Sequence, residues 1–193
     1  MSILYKQLEG GCTIEQLKDI AGLIYDTDPY IYPSLFGDKE EAVKIFPEII
    51  LSNDNMFCYD NMYVADSDGK YIGLILWHRG SFQWNTDPFV KAGGKTKNLL
   101  EVKSRYFDSY MKVPDDMVSL INVCTSVRGK GIGKALLYSF FQSVSGPYEL
   151  FVLADNKPAL KLYQDVGFKI TGEINGFSLD HRVLPCFKMS RVI

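Results

Sequence analysis

The sequence is poor in the residues that bind metals or form disulfide frameworks. Its two histidines, His78 and His181, do not stand at metal-ligand spacing, and its four cysteines form no C-x-x-C pair. Metal sites and redox pairs need such side chains at short, regular spacing. We therefore expect four reduced thiols, no metal cofactor, and ordinary structural or surface roles for both histidines.

The sequence also lacks an excess of charge of one sign and a long apolar run. Its 23 acidic and 21 basic residues give a net charge of −2, which argues against a protein that binds nucleic acid through a basic face. No run approaches the roughly 18 apolar residues of a membrane span. The opening stretch, MSILYKQLEG, lacks the apolar segment of a secretory signal. These absences predict a cytoplasmic protein with neither a nucleic-acid partner nor a membrane partner.

The sequence does contain enough apolar residues for one substantial core. Of its 193 residues, 47% are hydrophobic, which suits a single domain over 1–193. Apolar alternation and apolar runs predict strands over Ile3–Leu8, Met62–Ala65, Tyr71–Trp77, Met117–Val123, Tyr148–Leu153, Phe168–Thr171 and Cys186–Val192. Helical spacing predicts helices over 14–24, capped by Thr13, and over 39–51, 132–144 and 156–166. This order of elements predicts an α/β sandwich with a mixed sheet.

Two segments rich in aromatic residues interrupt this order. The stretch TDPYIYPSLFG, residues 27–37, contains two prolines, and we expect it to be a loop that exposes Tyr30, Tyr32 and Phe36. The connection from about 80 to 114 is unusually long, and a helix over 96–111 would relieve so long a bare loop. Because function concentrates in loops on a rigid scaffold, these segments are the expected place for a substrate pocket.

The stretch VRGKGIGKALL, residues 127–137, carries three glycines at alternate positions and then becomes helix-like. Glycine lets backbone approach a ligand closely, and free N–H groups at a helix start attract anions, so the stretch predicts a phosphate site. A Walker loop would need serine or threonine after Lys134, where Ala135 stands. A dinucleotide fingerprint starting at Gly129 would need glycine in place of Lys134. The stretch fits neither of these phosphate-binding motifs.

The stretch does resemble the coenzyme A pyrophosphate loop of the GNAT superfamily of N-acetyltransferases. Arg128, Gly131 and Gly133 fit the family pattern of arginine or glutamine, two residues, glycine, one residue, then glycine or alanine. A second motif, NKPALKLYQDVGF over 156–168, resembles the acceptor-proximal helix of the family and its Gly-Phe exit. The two motifs occur in the family order, and the order of elements agrees over roughly 61–171.

The resemblance implies both a fold and a co-substrate. The fold would be an α/β sandwich whose central, twisted sheet is mixed, mostly antiparallel and flanked by helices. The co-substrate would be acetyl-CoA, with backbone of 121–123 at its acetyl and pantetheine end and amides of 128–134 at its pyrophosphate. The residues predicted to contact it are Ile121, Asn122, Val123, Arg128, Gly129, Lys130, Gly131, Ile132, Gly133, Lys134, Asn156, Ala159 and Tyr163.

The predicted catalytic residue is Tyr163. Asn156, Ala159 and Tyr163 stand at i, i+3 and i+7, so they share one helical face. The resemblance gives Tyr163 the role of the general acid that protonates the departing CoA thiolate. A purely structural interpretation is also open, because asparagine is a common helix cap and tyrosine a common residue at the edge of a core.

The sequence departs from the family pattern at two points. Thr125 stands where the family often has proline, which a local bulge tolerates. Many relatives carry a glutamate near this strand as general base, but 117–124 contains none. The nearest acids are Asp115 and Asp116, which are typical of solvated turns. We interpret Cys124, beside the expected thioester, as a small buried residue rather than an acyl carrier.

The predicted function is acetyl transfer from acetyl-CoA to a primary amine by direct attack in a ternary complex. The acceptor would be a small molecule or a peptide, held by Tyr30, Tyr32 and Trp84, with 80–114 as an insertion on the acceptor side. The protein would be a monomer or a homodimer. One alternative is a non-catalytic module that binds acyl-CoA, and another is a nucleotide-binding protein.

Overall fold

The computed structural model of the protein describes residues 2–53, 55–81, 87, 113–179 and 182–192. The strands of this part are β1 (Ile3–Gln7), β2 (Met62–Ser67), β3 (Lys70–Arg79), β4 (Val118–Thr125), β5 (Tyr148–Leu153), β6 (Lys169–Leu179) and β7 (Arg182–Arg191). The helices are α1 (Ile14–Tyr25), α2 (Ile31–Phe36), α3 (Lys39–Leu51), α4 (Ile132–Ser143) and α5 (Lys157–Asp165). The helix predicted over 96–111 and the proposed contact at Trp84 lie outside the described residues.

The strands form one mixed sheet in the order β1-β2-β3-β4-β5-β7-β6. Every neighbouring pair is antiparallel except β4 and β5, which run parallel. The parallel pair is joined through α4, because parallel strands need a crossover connection. The predicted mixed, mostly antiparallel sheet flanked by helices is confirmed.

Each face of the sheet carries its own core. One core packs α1, α2 and α3 against residues such as Leu74 and Leu76 of β3. The other packs α4 and α5 against residues such as Ile75 of β3 and Leu150 of β5. Since side chains alternate across a strand, neighbouring residues of β3 supply opposite cores. The sheet is therefore packed against helices on both faces.

The predicted start of the first helix is confirmed in detail. Thr13 Oγ1 accepts a hydrogen bond from the Gln16 N–H at 3.2 Å, and Gln16 Oε1 accepts one from the Thr13 N–H at 3.0 Å. This reciprocal pair is a capping box, which satisfies two backbone donors at once. The third helix covers Lys39–Leu51 as predicted and carries Pro47 within it.

The expectation that residues 27–37 form an exposed loop was wrong. Residues Ile31–Phe36 form α2, which buries Tyr32 and Phe36. Ile31, Tyr32, Leu35 and Phe36 recur on one helical face, and a proline in the first helical turn lacks only an N–H that has no partner there. Tyr32 is 2% exposed and packs edge-on against Phe46 and Phe57, so its ring is not available to the acceptor.

The last two strands extend well beyond their predicted ends. The prediction stopped the first at Thr171 and started the second at Cys186, whereas β6 and β7 pair from Lys169 to Leu179. The stretch GEINGFSL lacks the apolar alternation on which the prediction depended. Register shifts interrupt this pairing twice, between Ile170 and Gly172 and between Ile174 and Phe177.

Candidate active site

The candidate site begins where β4 and β5 separate. Leu120 pairs with Leu150, and this is the last pair between β4 and β5 in the described part of the chain. Beyond that point β4 stays paired with β3 as far as Thr125, while β5 stays paired with β7. A register shift against β3 leaves Ile121 as an extra residue, a bulge at the point of separation. A gap therefore opens between two neighbouring strands of one sheet.

Backbone groups of β4 face this gap. The Ser126 N–H donates to the Ile72 carbonyl at 2.9 Å, so these two residues form a hydrogen-bonded pair. Along an antiparallel pair of strands, residues whose backbone groups point to the partner strand alternate with residues whose backbone groups point away from it. Cys124 accordingly bonds to β3, whereas Val123 directs its N–H and C=O away from β3 and into the gap. An extended ligand lying along β4 would meet the backbone of Val123 there.

The glycine loop lies at the same end of the sheet and leads into α4. Gly129 and Gly131 have φ of 76° and 74°, which an L side chain rarely adopts. Gly131 is the N-cap residue and has no side chain to satisfy the first turn. Across the described residues, the N–H groups of Ile132, Gly133 and Lys134 have no partner. These donors form a site suited to an anion.

Gly133 has a different reason to be glycine. A Cβ atom there would lie 3.4 Å from Leu162 Cδ2 of α5 and 3.8 Å from Thr125 Cγ2. The bare backbone thus lets the start of α4 approach α5 closely. Of the predicted basic contacts, Arg128 and Lys130 are exposed on the loop, and Lys134 Nζ lies 5.9 Å from the centre of the Tyr138 ring.

The motif residues of α5 divide into a cap and a buried face. Asn156 Oδ1 accepts a hydrogen bond from the Ala159 N–H at 3.2 Å, so this side chain caps the helix. Tyr163 is 7% exposed, and its ring packs edge-on against Phe168 with 5.9 Å between centres. Its hydroxyl has no hydrogen-bond partner among the described residues. Ala159 and Tyr163, four residues apart, both pack into the core on this side of the sheet, whereas Asn156 precedes the helix as its cap.

Tyr163 and Cys124 both hold their protons strongly. Burial raises the pKa of the Tyr163 phenol, and the neighbouring Cys124 adds to the rise. Burial also raises the pKa of the Cys124 thiol, with Asp26 adding to it, and Sγ lies 3.8 Å from the Leu74 carbonyl oxygen. Both groups are therefore protonated near neutral pH, and a protonated thiol is a poor nucleophile.

A cavity of about 360 Å³ opens beside the end of β5. Its described lining is mostly apolar, with one ring and one acid, and consists of Tyr30, Leu153, Asp155, Val183, Leu184 and Pro185. The Tyr30 hydroxyl donates to Asp155 Oδ2 at 3.4 Å. Asp28 supports this region, since its Oδ1 accepts the N–H groups of Tyr30 and Ile31, each at 2.7 Å. The cavity joins an aromatic ring with negative charge.

The sequence matches the model of the acetyltransferase (GNAT) family over residues 24–168. The chain belongs to this family. Membership supports acetyl transfer from an acyl-CoA as the activity of this acetyltransferase. The comparison with curated proteins gave no match.

Solved structures of acetyltransferases share the fold of the whole chain. An N-acetyltransferase from Staphylococcus aureus Mu50 is 22% identical with a TM-score of 0.66, over 97% of this chain and 99% of that one. An acetyltransferase of the GNAT family from Streptococcus pneumoniae is 18% identical with a TM-score of 0.59, over 100% and 99%. NAA60 from Arabidopsis thaliana, solved in complex with a bisubstrate analogue, is 15% identical with a TM-score of 0.56, over 100% and 99%. Likeness at these identities concerns the fold.

The acids before β4 lie away from the gap in this acetyltransferase. Asp115 and Asp116 are exposed beside the start of the strand, where Arg79 Nη1 donates to the Asp116 carbonyl at 3.1 Å. The five steps from Val118 to Val123 along the strand span roughly 16 Å at about 3.3 Å per residue. The structure therefore supports their interpretation as solvated turn acids.

Sequence reasoning missed the acids that do lie near the gap. Asp28 precedes Tyr30 in the connection between α1 and α2, and Asp155 follows directly after β5. The position of Asp155 at the carboxyl end of a predicted strand was a usable signal, whereas Asp28 depends on a contact between distant segments.

Two broader features concern the described part of the acetyltransferase. Within it, no three or more His, Cys, Asp or Glu side chains gather in a way that could hold a metal ion. Its helices include none with both the length and the apolar character needed to cross a membrane.

Proposed function

We propose that this acetyltransferase moves an acetyl group from acetyl-CoA to a primary amine by direct attack in a ternary complex. The observation that carries the proposal is that the gap between β4 and β5 opens at the same end of the sheet as the first turn of α4, whose N–H groups have no partner among the described residues. A gap between strands offers an extended thioester a row of backbone partners. The helix start offers the pyrophosphate a group of N–H donors.

The donor would lie along β4 with its pyrophosphate at α4. Backbone of Ile121, Asn122 and Val123 would bind the acetyl and pantetheine end. The amides from Gly129 to Lys134 would bind the pyrophosphate, and Arg128, Lys130 and Lys134 would add positive charge. The unpaired N–H groups of α4 and the positive φ at Gly129 and Gly131 support this part of the proposal.

Chemistry would depend mainly on holding the two substrates together, because proximity alone supplies a large part of the barrier reduction in such reactions. The neutral amine attacks the thioester carbon, the C–N bond forms, and the C–S bond breaks with its electron pair on sulfur. Tyr163 donates its phenolic proton to that sulfur, and the phenolate takes a proton from the cationic nitrogen. Two observations support this role: the hydroxyl has no hydrogen-bond partner among the described residues, and burial raises the pKa of the phenol, so it carries a proton.

The acceptor would enter through the cavity beside β5. A protonated amine group can contact both the face of the Tyr30 ring and the Asp155 carboxylate. The predicted contact at Tyr32 is not included, because that ring is buried in the core. Cys124 takes no covalent part, since its thiol holds its proton.

The test is a panel of acceptors incubated with acetyl-CoA while free CoA thiol and acetylated product are measured. The panel consists of butylamine, 1,4-diaminobutane, phenethylamine, a peptide with a free amino terminus and a blocked peptide with one lysine. We expect thiol release that depends on amine, and initial-rate lines that intersect when both substrates are varied. Parallel lines would indicate an acyl-enzyme instead. Binding of acetyl-CoA without product from any amine would favour a non-catalytic acyl-CoA module.

A further inference from the structure

Three polar residues form a row across the middle of the sheet. In the strand register, His78 of β3 is opposite Ser119 of β4, and Ser119 is opposite Glu149 of β5. Residues opposite one another in a sheet project from the same face. Their exposed fractions are 5%, 7% and 1% respectively. The row therefore places a carboxylate, a hydroxyl and an imidazole side by side in the interior.

Two atoms of this polar row have no hydrogen-bond partner among the described residues. Glu149 Oε2 pairs with Lys188 Nζ of β7 at 2.9 Å, whereas Glu149 Oε1 is buried and has no partner within the described part of the chain. The same holds for Ser119 Oγ, which is buried without a partner among those residues. Leaving a buried polar atom unpaired costs stability, and more so for a charged group. Neighbouring unpaired atoms of this kind indicate a place for a water or a ligand group.

The polar row lies next to the gap along β4 and β5. The pair that follows it, Leu120 with Leu150, is the last one joining β4 to β5. The row is thus set back from the gap by one residue pair, about 3 Å along each strand. Neither of the exposed acids before β4, Asp115 and Asp116, has a comparable position.

We propose that Glu149 is the base that receives the proton of the acceptor ammonium, with Ser119 relaying it. The inference rests on the proposed function. The ammonium gives one proton through Ser119 Oγ, or a water bound there, to Glu149 Oε1 and becomes the neutral amine. That amine attacks the thioester, CoA leaves with the proton from Tyr163, and the second nitrogen proton restores Tyr163. Glu149 then releases its proton to solvent, so one proton is released per amide formed.

The neighbours of Glu149 suit this role. Lys188 supplies the positive charge that accompanies the buried carboxylate. Burial lowers the pKa of His78, while the hydrogen bond to the Gly80 carbonyl and the charge of Glu149 oppose the shift. A neutral His78 donates from Nδ1 to the Gly80 oxygen at 2.8 Å. The described charged or titratable groups with an identified interaction with Glu149 are therefore the Lys188 cation and the neutral His78 ring.

The test compares Glu149→Gln with wild type using the panel amine that gives the highest kcat/KM. The substitution keeps the shape of the side chain and removes its ability to take a proton. At pH 7 we expect kcat/KM to fall by roughly 10²-fold. The loss should shrink as the pH approaches the pKa of the chosen amine, about 10.4 for an alkyl amine and about 8 for an amino terminus, because the free amine then needs no base. The affinity for acetyl-CoA should remain unchanged.

Two control variants separate a proton acceptor from a structural ion pair. Asp116→Asn removes one exposed carboxylate and should leave the profile of rate against pH unchanged. Lys188→Gln breaks the ion pair but keeps the carboxylate, so its loss of kcat/KM should stay under about 10-fold. Equal losses in Glu149→Gln and Lys188→Gln, without recovery at high pH, would overturn the inference.

The outcomes also distinguish this inference from the proposed function. Wild-type activity in Glu149→Gln at every pH would remove Glu149 as the base and leave amine acetylation intact. A wild-type protein that acetylates no amine would overturn both. If Glu149→Gln does not fold, Ser119→Ala is the deciding variant. A few-fold loss of kcat/KM that recovers at high pH would support the relay. An unchanged profile of kcat/KM against pH would overturn the inference.

Discussion

The two sides of the gap are built in different ways. The proposed donor side is one continuous segment, residues 121–134, whose groups available to a ligand are mostly backbone amides. The proposed acceptor side joins the connection between α1 and α2, the end of β5 and the β7 segment 183–185, and its described polar side chains are Tyr30 and Asp155. Backbone amides bind the same group whatever the neighbouring side chains are. A cavity lined by side chains changes with each substitution, so acceptor choice can vary while the donor stays fixed.

The largest expected effect comes from Tyr163, the proposed proton donor. Tyr163→Phe keeps the ring against Phe168 and removes the proton that we propose goes to the leaving sulfur. Turnover at saturating acetyl-CoA should fall by roughly 10²- to 10⁴-fold while CoA affinity changes little. Steady-state kinetics and a thermal melt of the same preparation measure both quantities. Near-wild-type turnover would leave Tyr163 with a packing role only.

A substitution at Gly131 should remove CoA binding without changing the proposed acceptor side. Gly131→Asp adds a Cβ at a φ of 74° and a negative charge that faces an anion. At about 100 times its Kd, CoA should stabilise wild type by about 2.7 kcal/mol and the variant not at all. Thermal melts with and without CoA measure the difference.

Gly11→Asp is the matched control for this variant. Gly11 has a φ of 92° and the same open surroundings, but it lies before α1 rather than before α4. This control should lose basal stability and keep the increment that CoA provides. An equal CoA increment in Gly131→Asp would remove the loop from the donor site.

The acceptor side should respond to the charge of Asp155. Asp155→Asn keeps the shape of the cavity lining and removes the negative charge beside Tyr30. We expect kcat/KM for 1,4-diaminobutane to fall about 10-fold relative to butylamine, because only the diamine carries a second charge. Asp165→Asn, an exposed acid at the end of α5, serves as control. A fall of the same size for both amines would argue against charge recognition by Asp155.

The smallest expected effect concerns Asp28 and the pH dependence of stability. Burial raises the pKa of Asp28, with Asp155 adding to it, while hydrogen bonds from Ile31 and Tyr30 oppose the shift. The folded carboxyl thus binds protons above the unfolded pKa of about 3.9, and its contribution to stability falls as the pH rises through that window. Asp28→Asn should therefore gain on wild type from pH 3 to pH 7, by under about 1 kcal/mol. Urea unfolding at both pH values measures this, and a constant difference would contradict it.

The sheet and the donor loop could be predicted from the sequence because their determinants are local. Alternation located the strands near the gap, and three glycines at alternate positions located the start of α4. Gly129 and Gly131 are required by their own φ angles, and a capping residue such as Thr13 acts within one turn. Such signals are complete within a few neighbouring residues.

The acceptor side and the buried polar row could not be predicted in the same way. Tyr30 meets Asp155 across 125 residues of sequence, and Ser119 meets Glu149 only through strand register. The segment containing Tyr32 was misjudged because two prolines suggested a loop, whereas its apolar spacing fits a short buried helix. Contacts between distant segments leave no local pattern to recognise.

The central claim is that CoA binds along β4 with its pyrophosphate at the start of α4. Backbone amide chemical shifts recorded during a titration with CoA test this most directly, because each amide reports on its own surroundings. The largest changes should occur at Val123 and from Gly129 to Lys134, with little change at the far edge in β1. Saturable CoA binding that leaves those amides unchanged and shifts another region would contradict the claim.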